Sequence, residues 1–473
     1  MERIVMYPSM GISHLMPMME LAKLLHNHQP SSLITILVTP HPNSALITSY
    51  LAQISTSKPF VTFHYLPNPS LSSPPSSVNS PSLSFDRARI NNPNLKQALE
   101  HISRTSTIKV FVIDFFNTAA HEIAVDFRIP TFYYFPVSAC ALAATLYFPT
   151  IDKTTVKSIK DMDTDFEIPS LPPVPSDHMP MSMHDRNSQI YKNMLNLATQ
   201  MPKAEGIIIN TFEFLEGRTI KAISEGLCVP DGRTPPIFSI GPLIGEKEDN
   251  ESVNDGGARH ECLSWLDSQP SRSVLFLCFG SMGVFSAAQL REMAVGLEKS
   301  GHRFLWVART PPPGDKNGGT KASLESIMPE GFLERTKDRG LLWGSWAPQL
   351  EVLSHDSVGG FVTHCGWNSV LEAVWHGVPL IAWPLFAEQR LNKVFLVEAA
   401  KLALPLNLAK DGFVTADELE VRVRDLMGSK SGRPIRERVM AAREEAKAAI
   451  GQGGSSRAAL DKLYQLWKCE EGF

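Results

Sequence analysis

Short apolar runs alternate with segments of helical periodicity in both halves of the chain, and this alternation limits the fold more than any other feature. In the first half, the runs predicted as strands are Arg3–Tyr7, Leu33–Val38, Val61–Leu66, Val110–Ile113, Thr131–Phe135 and Gly206–Asn210. In the second half they are Val274–Phe279, Phe304–Val307, Leu341–Trp343, Phe361–Thr363 and Leu380–Trp383. Continuous apolar strands separated by helices are typical of parallel sheets covered on both faces. We therefore predict an α/β fold with doubly wound, Rossmann-like sheets.

The length of 473 residues exceeds the size at which one hydrophobic core stops growing, which indicates two domains. A charged, apolar-poor segment at residues 244–260 is the predicted linker between them. The first domain is predicted at residues 1–243, the second at 261–452 and a C-terminal helix at 453–473. We expect this helix to have Ser455 or Ser456 as its N-cap and to pack on the first domain through an apolar stripe formed by Leu460, Leu463, Leu466 and Trp467.

Charge and cysteine content exclude several classes of protein. The net charge of −4 leaves no basic surface for nucleic acid, and no apolar run approaches the ~18 residues of a membrane span. The six cysteines are scattered without CxxC pairs, a pattern that favours reduced thiols over a disulfide framework or zinc site. The N-terminus lacks the long apolar core of a signal peptide. We expect a cytoplasmic protein that acts as a monomer.

Two polar residues each follow a predicted strand of the first domain: His14 after the first strand, and Asp114 after Val110–Ile113. Because ligands bind beyond the carboxyl ends of parallel strands, both are candidates for one site. A histidine near a helix N-terminus is biased toward its neutral form, and a carboxylate on its far nitrogen would fix the tautomer. On spacing alone, the alternative that His14 is a surface residue and Asp114 an N-cap stays open.

A second candidate site lies in Trp346–Gln389, where an apolar run ends in His364 and a helix is predicted at Trp367–His376. A helix N-terminus presents unpaired N–H groups and a partial positive charge, so this joint favours phosphate. The turn Gly280-Ser281-Met282-Gly283 is a weaker phosphate signal that lacks the dinucleotide fingerprint. The Asp-x-Asp pattern at 161–165 resembles a metal-binding motif, but no strand leads into it and we interpret it as a solvated loop.

The whole of Trp346–Gln389, 44 residues, resembles without a gap the signature box of plant UDP-dependent glycosyltransferases of secondary metabolism. Residues Cys262–Asp267, Phe279-Gly280-Ser281 and the Gly11-x-x-His14 pattern also have counterparts in that family. The resemblance implies two Rossmann-like domains that face each other across a cleft, with a C-terminal helix that returns to the first domain. It also implies UDP-glucose as co-substrate, with no metal and no other cofactor.

The resemblance assigns a role to each matching residue. Trp346 would stack on uracil, Ala347 and Gln349 would contact base and ribose, and Glu372 would take the ribose hydroxyls. Ser281, His364, Asn368 and Ser369 would hold the diphosphate, with His364, Asn368 and Glu372 expected on one helical face from their i, i+4, i+8 spacing. The residues expected to contact the sugar are Trp367, Glu388, Gln389 and, from a looser match, Ser138.

The mechanism implied is a direct displacement with inversion, in which His14 deprotonates the acceptor and Asp114 orients His14. The expected acceptor is a flavonoid, chalcone or other phenol. Aromatic and Met residues near the long loops are candidates for its pocket or simply core residues: Phe115, Phe116, Tyr133, Met179, Met181 and Met183. Another UDP-sugar or a C-glycoside product stays open. A non-catalytic UDP-sugar-binding protein and a nucleotide-dependent oxidoreductase are the alternatives from other classes.

Overall fold

The structure is a computed structural model that describes residues 2–39, 45–67, 81–245, 260–311, 323–428, 430 and 432–469. The chain divides into two compact units, one formed by Met1–Gly245 with Ala448–Phe473 and the other by Glu246–Lys447. The predicted linker at 244–260 lies outside the described residues apart from its ends.

The first unit is built on a parallel sheet that has seven strands among the described residues, in the order β3-β2-β1-β4-β5-β8-β9. Its strands are β1 Glu2–Tyr7, β2 Leu33–Val38, β3 Val61–Tyr65, β4 Thr107–Asp114, β5 Thr131–Phe135, β8 Gly206–Ile209 and β9 Ile237–Ser239. An antiparallel ribbon of β6 Asp165–Phe166 and β7 Val174–Pro175 lies apart from it. The central strands are buried, as their unbroken apolar sequences predict.

Helices cover this sheet and follow nearly every strand. They are α1 Ile12–His28, α2 Ala45–Ser57, α3 Pro81–Ile90, α4 Asn92–Ser103, α5 Ala119–Asp126, α6 Ala139–Thr154, α7 Gln189–Gln200 and α8 Glu213–Ser224. A 3₁₀ turn at Phe115–Asn117 follows β4 directly. The helix α1 begins three residues before its predicted start at Leu15, because Gly11 adopts φ 111° and lets the chain turn at once into the helix.

The second unit repeats the plan with a parallel sheet, six-stranded among the described residues, in the order β12-β11-β10-β13-β14-β15. Its strands are β10 Val274–Cys278, β11 Arg303–Val307, β12 Gly340–Trp343, β13 Val358–Thr363, β14 Leu380–Ala382 and β15 Ala403–Pro405. Its helices are α9 Glu261–Asp267, α10 Ala287–Ser300, α11 Leu324–Ile327, α12 Phe332–Thr336, α13 Gln349–Ser354, α14 Trp367–His376, α15 Gln389–Val394, α16 Ala416–Met427 and most of α17 Arg433–Ile450. The predicted α/β class with parallel, doubly covered sheets is therefore confirmed.

The last helix, α18 Ser455–Cys469, belongs to the first unit. Its residues Leu460, Leu463, Tyr464 and Trp467 share a buried cluster with Ile4 and Met6 of β1. The phenol of Tyr464 also donates to the carbonyl of Leu25 in α1 at 2.7 Å. The apolar stripe read from the sequence is thus the surface by which the helix packs on the first sheet.

Two expectations about this region are wrong in detail. The division between the units falls inside α17, at Lys447 and Ala448, and not at residue 453. Neither serine is the N-cap, because Gly454 accepts the first helical hydrogen bond, from Ala458 N–H at 2.9 Å. The hydroxyl of Ser456 donates instead to the carbonyl of Gly241, so it joins α18 to the segment after β9. None of the described helices is both long enough and apolar enough to cross a membrane.

Candidate active site

His14 and Asp114 meet because β1 and β4 are neighbours and end together, with Tyr7 in register with Ile113. His14 lies in the first turn of α1, and its Nδ1 is 2.8 Å from Oδ2 of Asp114. The other carboxylate oxygen, Oδ1, accepts the Phe116 N–H at 3.0 Å. Asp114 is therefore both the N-cap of the 3₁₀ turn and the hydrogen-bond partner of His14, while the catalytic role of the pair stays a prediction.

The pair has the burial expected of a positioned base. The Asp114 side chain is fully buried, whereas 20 % of the His14 side chain is exposed. Since a carboxylate only accepts hydrogen bonds, Nδ1 of His14 carries the proton toward Asp114 and Nε2 is the basic nitrogen of the neutral ring. The arrangement can accept a proton on Nε2 while the carboxylate balances the charge formed.

Aromatic rings surround His14. Its ring centroid lies 5.2 Å from Phe116, edge-on, and 5.9 Å from Phe115. Phe85 of α3 packs edge-on against Phe116 in turn, at 5.0 Å. Of the other residues considered for an acceptor pocket, Tyr133, Met179 and Met183 are buried in the core and Met181 is exposed. The structure thus places Phe115 and Phe116, and not those four, against the histidine.

Ser138 is the N-cap of α6, where its buried hydroxyl accepts the Ala141 N–H at 3.1 Å. The two remaining amides of this first turn donate to one carboxylate, that of Glu216 in α8. Ala139 N–H is 2.8 Å from Oε2 and Cys140 N–H is 2.9 Å from Oε1. Burial raises the pKa of Glu216, and these backbone donors oppose the shift. The role of Ser138 toward a sugar stays a prediction, and no pattern in the sequence pointed to Glu216.

In the second unit, β13 leads into α14 through His364, Cys365 and Gly366. Cys365 adopts φ 65°, which is uncommon for a residue with a side chain, and Gly366 is the N-cap. Gly366 has no side chain, so the first turn of α14 begins without a side-chain cap. Such a turn is suited to an anion, as the sequence predicted.

His364 precedes α14 and does not lie on it, so the expectation of one helical face shared with Asn368 and Glu372 is wrong. The positive φ of Cys365 turns the chain between the histidine and the helix. Asn368 is exposed and Glu372 partly buried, one turn apart on α14 itself. Only these two residues keep the predicted i, i+4 relation.

Two glycines leave the space that the imidazole of His364 occupies. A Cβ added at Gly280 would lie 2.8 Å from its Nε2, and one at Gly366 would lie 2.4 Å away. Burial lowers the pKa of His364 to about 4, so the ring is neutral near pH 7. Its Nδ1 is buried and has no hydrogen-bond partner among the described residues. Ser281, next to Gly280, is exposed, and its carbonyl accepts from the Arg309 guanidinium.

Gln349 joins Ser369 to Glu372. Its Nε2 donates to the Ser369 hydroxyl at 2.9 Å and to Oε2 of Glu372 at 2.6 Å. Burial raises the pKa of Glu372 to about 7, while the Gln349 hydrogen bond opposes that shift. Nearby in sequence, Ala347 is buried and the Trp346 ring is 58 % exposed, as a stacking surface must be. The structure thus brings three of the residues predicted to bind the UDP-sugar, Gln349, Ser369 and Glu372, into one hydrogen-bonded group.

The amide of Gln389 is oriented by its own loop. Its Oε1 accepts the backbone N–H groups of Leu385 and Phe386, both at 2.9 Å. The amide is therefore oriented with Oε1 toward its own loop, and Nε2 is the end that can donate. The preceding residue, Glu388, is the N-cap of α15, and Trp367 is buried against Phe395 with ring centroids 6.2 Å apart.

The carboxylates of Asp161, Asp163 and Asp165 are exposed, as expected for a solvated segment. Across the described residues, no group of three or more His, Cys, Asp or Glu side chains has an arrangement that would hold a metal ion.

The comparisons with known proteins agree with this geometry. Residues 254–435 match the family model of UDP-glucoronosyl and UDP-glucosyl transferase. The chain is 49 % identical to an anthocyanidin 5,3-O-glucosyltransferase from a Rosa hybrid cultivar, over 99 % of each chain. It is 48 % identical to a phloretin 2'-O-glucosyltransferase from Pyrus communis, over 96 % of this chain and 97 % of that one.

Among solved structures, Phytolacca americana UGT2 complexed with UDP-2fluoro-glucose and pterostilbene matches with a TM-score of 0.87 and 36 % identity, over 99 % of this chain and 100 % of that one. The fold, the absence of a side-chain cap at Gly366 and the relatives matched over nearly their whole length are all consistent with one family. The chain belongs to the plant members of the UDP-glucoronosyl and UDP-glucosyl transferase family and is a UDP-glycosyltransferase.

Proposed function

We propose that this enzyme is an inverting, UDP-glucose-dependent glucosyltransferase that forms β-O-glucosides on a flavonoid, chalcone or related phenol. The observation that carries the proposal is the 2.8 Å hydrogen bond between His14 and the buried carboxylate of Asp114, which makes a positioned base. The names of the rose and pear relatives, which are glucosyltransferases of an anthocyanidin and of phloretin, support the acceptor class.

In the proposed reaction, Nε2 of His14 removes the proton of the phenolic hydroxyl, whose oxygen attacks the anomeric carbon as UDP leaves. Trp346 stacks on uracil, Glu372 and Gln349 bind the ribose, and Gln389 donates to the glucose. The negative charge that grows on the diphosphate is stabilised by His364, Ser281 and the first turn of α14, the larger electrostatic contribution. We infer that these groups suffice without a metal, and undiminished turnover in excess chelator is the test.

The assay that tests the proposal incubates the purified protein with UDP-glucose and phloretin or an anthocyanidin. The expected product is a monoglucoside whose anomeric proton shows the coupling constant of a β-glucoside. Acid should hydrolyse this O-glucoside. An acid-stable product would identify a C-glucoside, and preference for another UDP-sugar would correct the donor. The affinities for NAD and UDP can be compared by their quenching of tryptophan fluorescence. Tighter binding of NAD than of UDP would contradict the transferase assignment. We further infer that the enzyme is cytoplasmic and monomeric. Light scattering tests the monomeric state.

We predict that UDP-glucose binds about tenfold more tightly at pH 8 than at pH 6. The carboxylate form of Glu372 accepts the ribose hydroxyls, and its pKa of about 7 means that protonation competes with binding below neutrality. UDP-glucose is a suitable probe because its diphosphate has no terminal phosphate group to titrate in this range. Calorimetric titrations at both pH values measure the effect, and Glu372→Gln should bind weakly with no such pH dependence.

Gly280→Ala is expected to raise the KM for UDP-glucose by about 10- to 100-fold, with a smaller change in kcat. The new methyl group would displace the His364 ring, since it would lie 2.8 Å from Nε2. Gly301→Ala is the matched control because Gly301 has a similar φ of 72° with nothing within 4 Å of an added Cβ. Equal effects of both variants on donor KM would show that backbone strain, and not the displaced histidine, is responsible.

A further inference from the structure

Arg87, in α3, is a buried cation with an unusual partner. Only 7 % of the residue is exposed. Among the described residues, the sole hydrogen-bond acceptor for its guanidinium is the thioether sulfur of Met10. A thioether is a weak acceptor, whereas a guanidinium carries several strong donors and stays charged at neutral pH.

No carboxylate among the described residues pairs with this cation. The adjacent Asp86 pairs with Arg89, at 2.8 Å, on the exposed side of the same helix. Of the segments outside the described residues, 40–44 and 68–80 contain no Asp or Glu, whereas 246–259, 312–322 and 470–473 do. Because a buried charge is costly unless it is paired, an anion is the partner that the guanidinium lacks.

The position of Arg87 connects it to the proposed base. Met10 lies in the loop between β1 and α1 that leads to His14, and Phe85, two residues before Arg87 on α3, packs on Phe116. Phe116 packs edge-on against His14 itself. In the same loop, the hydroxyl of Ser9 is buried and has no hydrogen-bond partner among the described residues. Unsatisfied polar groups and aromatic rings therefore occur in the β1–α1 loop and in α3, the two segments that connect to His14 through the chain and through Phe116.

We infer that Arg87 is a specificity-determining residue for the acceptor and binds an anionic oxygen, a carboxylate or an ionised phenol, that the acceptor carries besides its reacting hydroxyl. The acceptor oxygen takes the place of the Met10 sulfur, which is held by a weak interaction on a flexible side chain. The guanidinium then gains a charged partner, to which its N–H groups can donate charge-assisted hydrogen bonds. This inference rests on the proposed function, because it takes the surroundings of His14 as the acceptor site.

The test compares Arg87→Met with Arg89→Met, a matched variant whose side chain is 64 % exposed and ion-paired on the same helix. One acceptor pair is 4-hydroxycinnamic acid and its methyl ester, and the other is a dihydroxychalcone and its monomethyl ether. For each pair, the ratio of kcat/KM for the ionisable acceptor to that for its methylated form is measured. Arg87→Met should lower one ratio by about 10- to 100-fold, the range for a lost hydrogen bond to a charged group. Arg89→Met should leave both ratios unchanged.

The ratio compares two acceptors on the same folded protein, so partial unfolding of Arg87→Met does not distort it. Arg87→Lys keeps the charge and should retain part of the preference. A fall in the acid and ester ratio assigns the carboxylate, and a fall in the chalcone ratio assigns the ionised phenol. Unchanged ratios for both pairs would overturn the inference. Calorimetric binding of each acceptor to wild type and Arg87→Met separates the two proposals: absence of turnover with any acceptor contradicts the proposed function, while an Arg87-dependent difference in binding still supports the anion site.

Discussion

Replacement of His14 by alanine is expected to lower kcat for a phenolic acceptor by about 10²- to 10⁴-fold, the usual contribution of a positioned general base. Binding of UDP should persist, because the residues predicted to contact it belong to the other unit. Initial rates with UDP-glucose, measured beside calorimetric titration with UDP, separate the two effects. Near-normal turnover in His14→Ala would show that another group takes the proton.

Asp114→Asn is the companion variant, since asparagine keeps an oxygen to accept the Phe116 N–H. Its amide nitrogen cannot accept the Nδ1 proton of His14, so the ring is driven toward the wrong tautomer. A loss of up to about 10⁴-fold in kcat is expected, by analogy with the carboxylate-to-amide change beside a catalytic histidine. An unchanged melting temperature would show that the loss is chemical. If Asp114→Asn lost far less activity than His14→Ala, the carboxylate would serve mainly as the cap of its 3₁₀ turn.

The second large effect is on stability. Trp467→Ala is expected to lower the free energy of unfolding of the first unit by about 3–5 kcal/mol, the cost of truncating a buried aromatic residue. Trp467 is 1 % exposed and packs edge-on against Phe132 of β5 at 5.7 Å and against Tyr464 at 5.0 Å. Urea unfolding followed by circular dichroism measures the change in midpoint.

Trp467→Phe is the control, because it retains an aromatic ring and loses little besides volume. It should lower the stability by less than half as much. The indole Nε1 has no hydrogen-bond partner among the described residues, so its removal leaves no protein acceptor unsatisfied. A Trp467→Ala protein that unfolded at the wild-type urea concentration would contradict the packing of α18 on the first sheet.

Periodicity predicted the regular parts of the fold well because the apolar pattern there is set by burial alone. Leu33–Val38 and Trp367–His376 were predicted with the bounds that the structure has. The short strands Ala403–Pro405 and Asp165–Phe166 were not predicted, since neither is long enough to show an apolar pattern. The start of α1 was placed late because the contribution of Gly11 depends on its φ, which a sequence does not state.

The candidate site shows the same limit. His14 and Asp114 were predictable because each follows a strand and parallel strands end at one edge. The position of His364 off the helix was not, because it depends on Cys365 in a left-handed conformation that its residue type disfavours. Glu216 and Arg87 were missed altogether, since a carboxylate inside an ordinary helical pattern and an arginine beside an aspartate both look like surface residues.

The buried carboxylate of Glu216 makes the start of α6 chemically different from the start of α14. Both units place a helix after a strand, as nucleotide-binding folds do, and such a helix would receive phosphate by default. In α14 the N-cap Gly366 supplies no side-chain cap, whereas in α6 the Glu216 carboxylate accepts from two amides of the first turn. Glu216 therefore occupies the place at the start of α6 that a phosphate would take at a helix N-terminus. The amides that begin α6 are thus already paired, so an anionic group on the acceptor would have to be bound elsewhere in the first unit, for example by the Arg87 guanidinium.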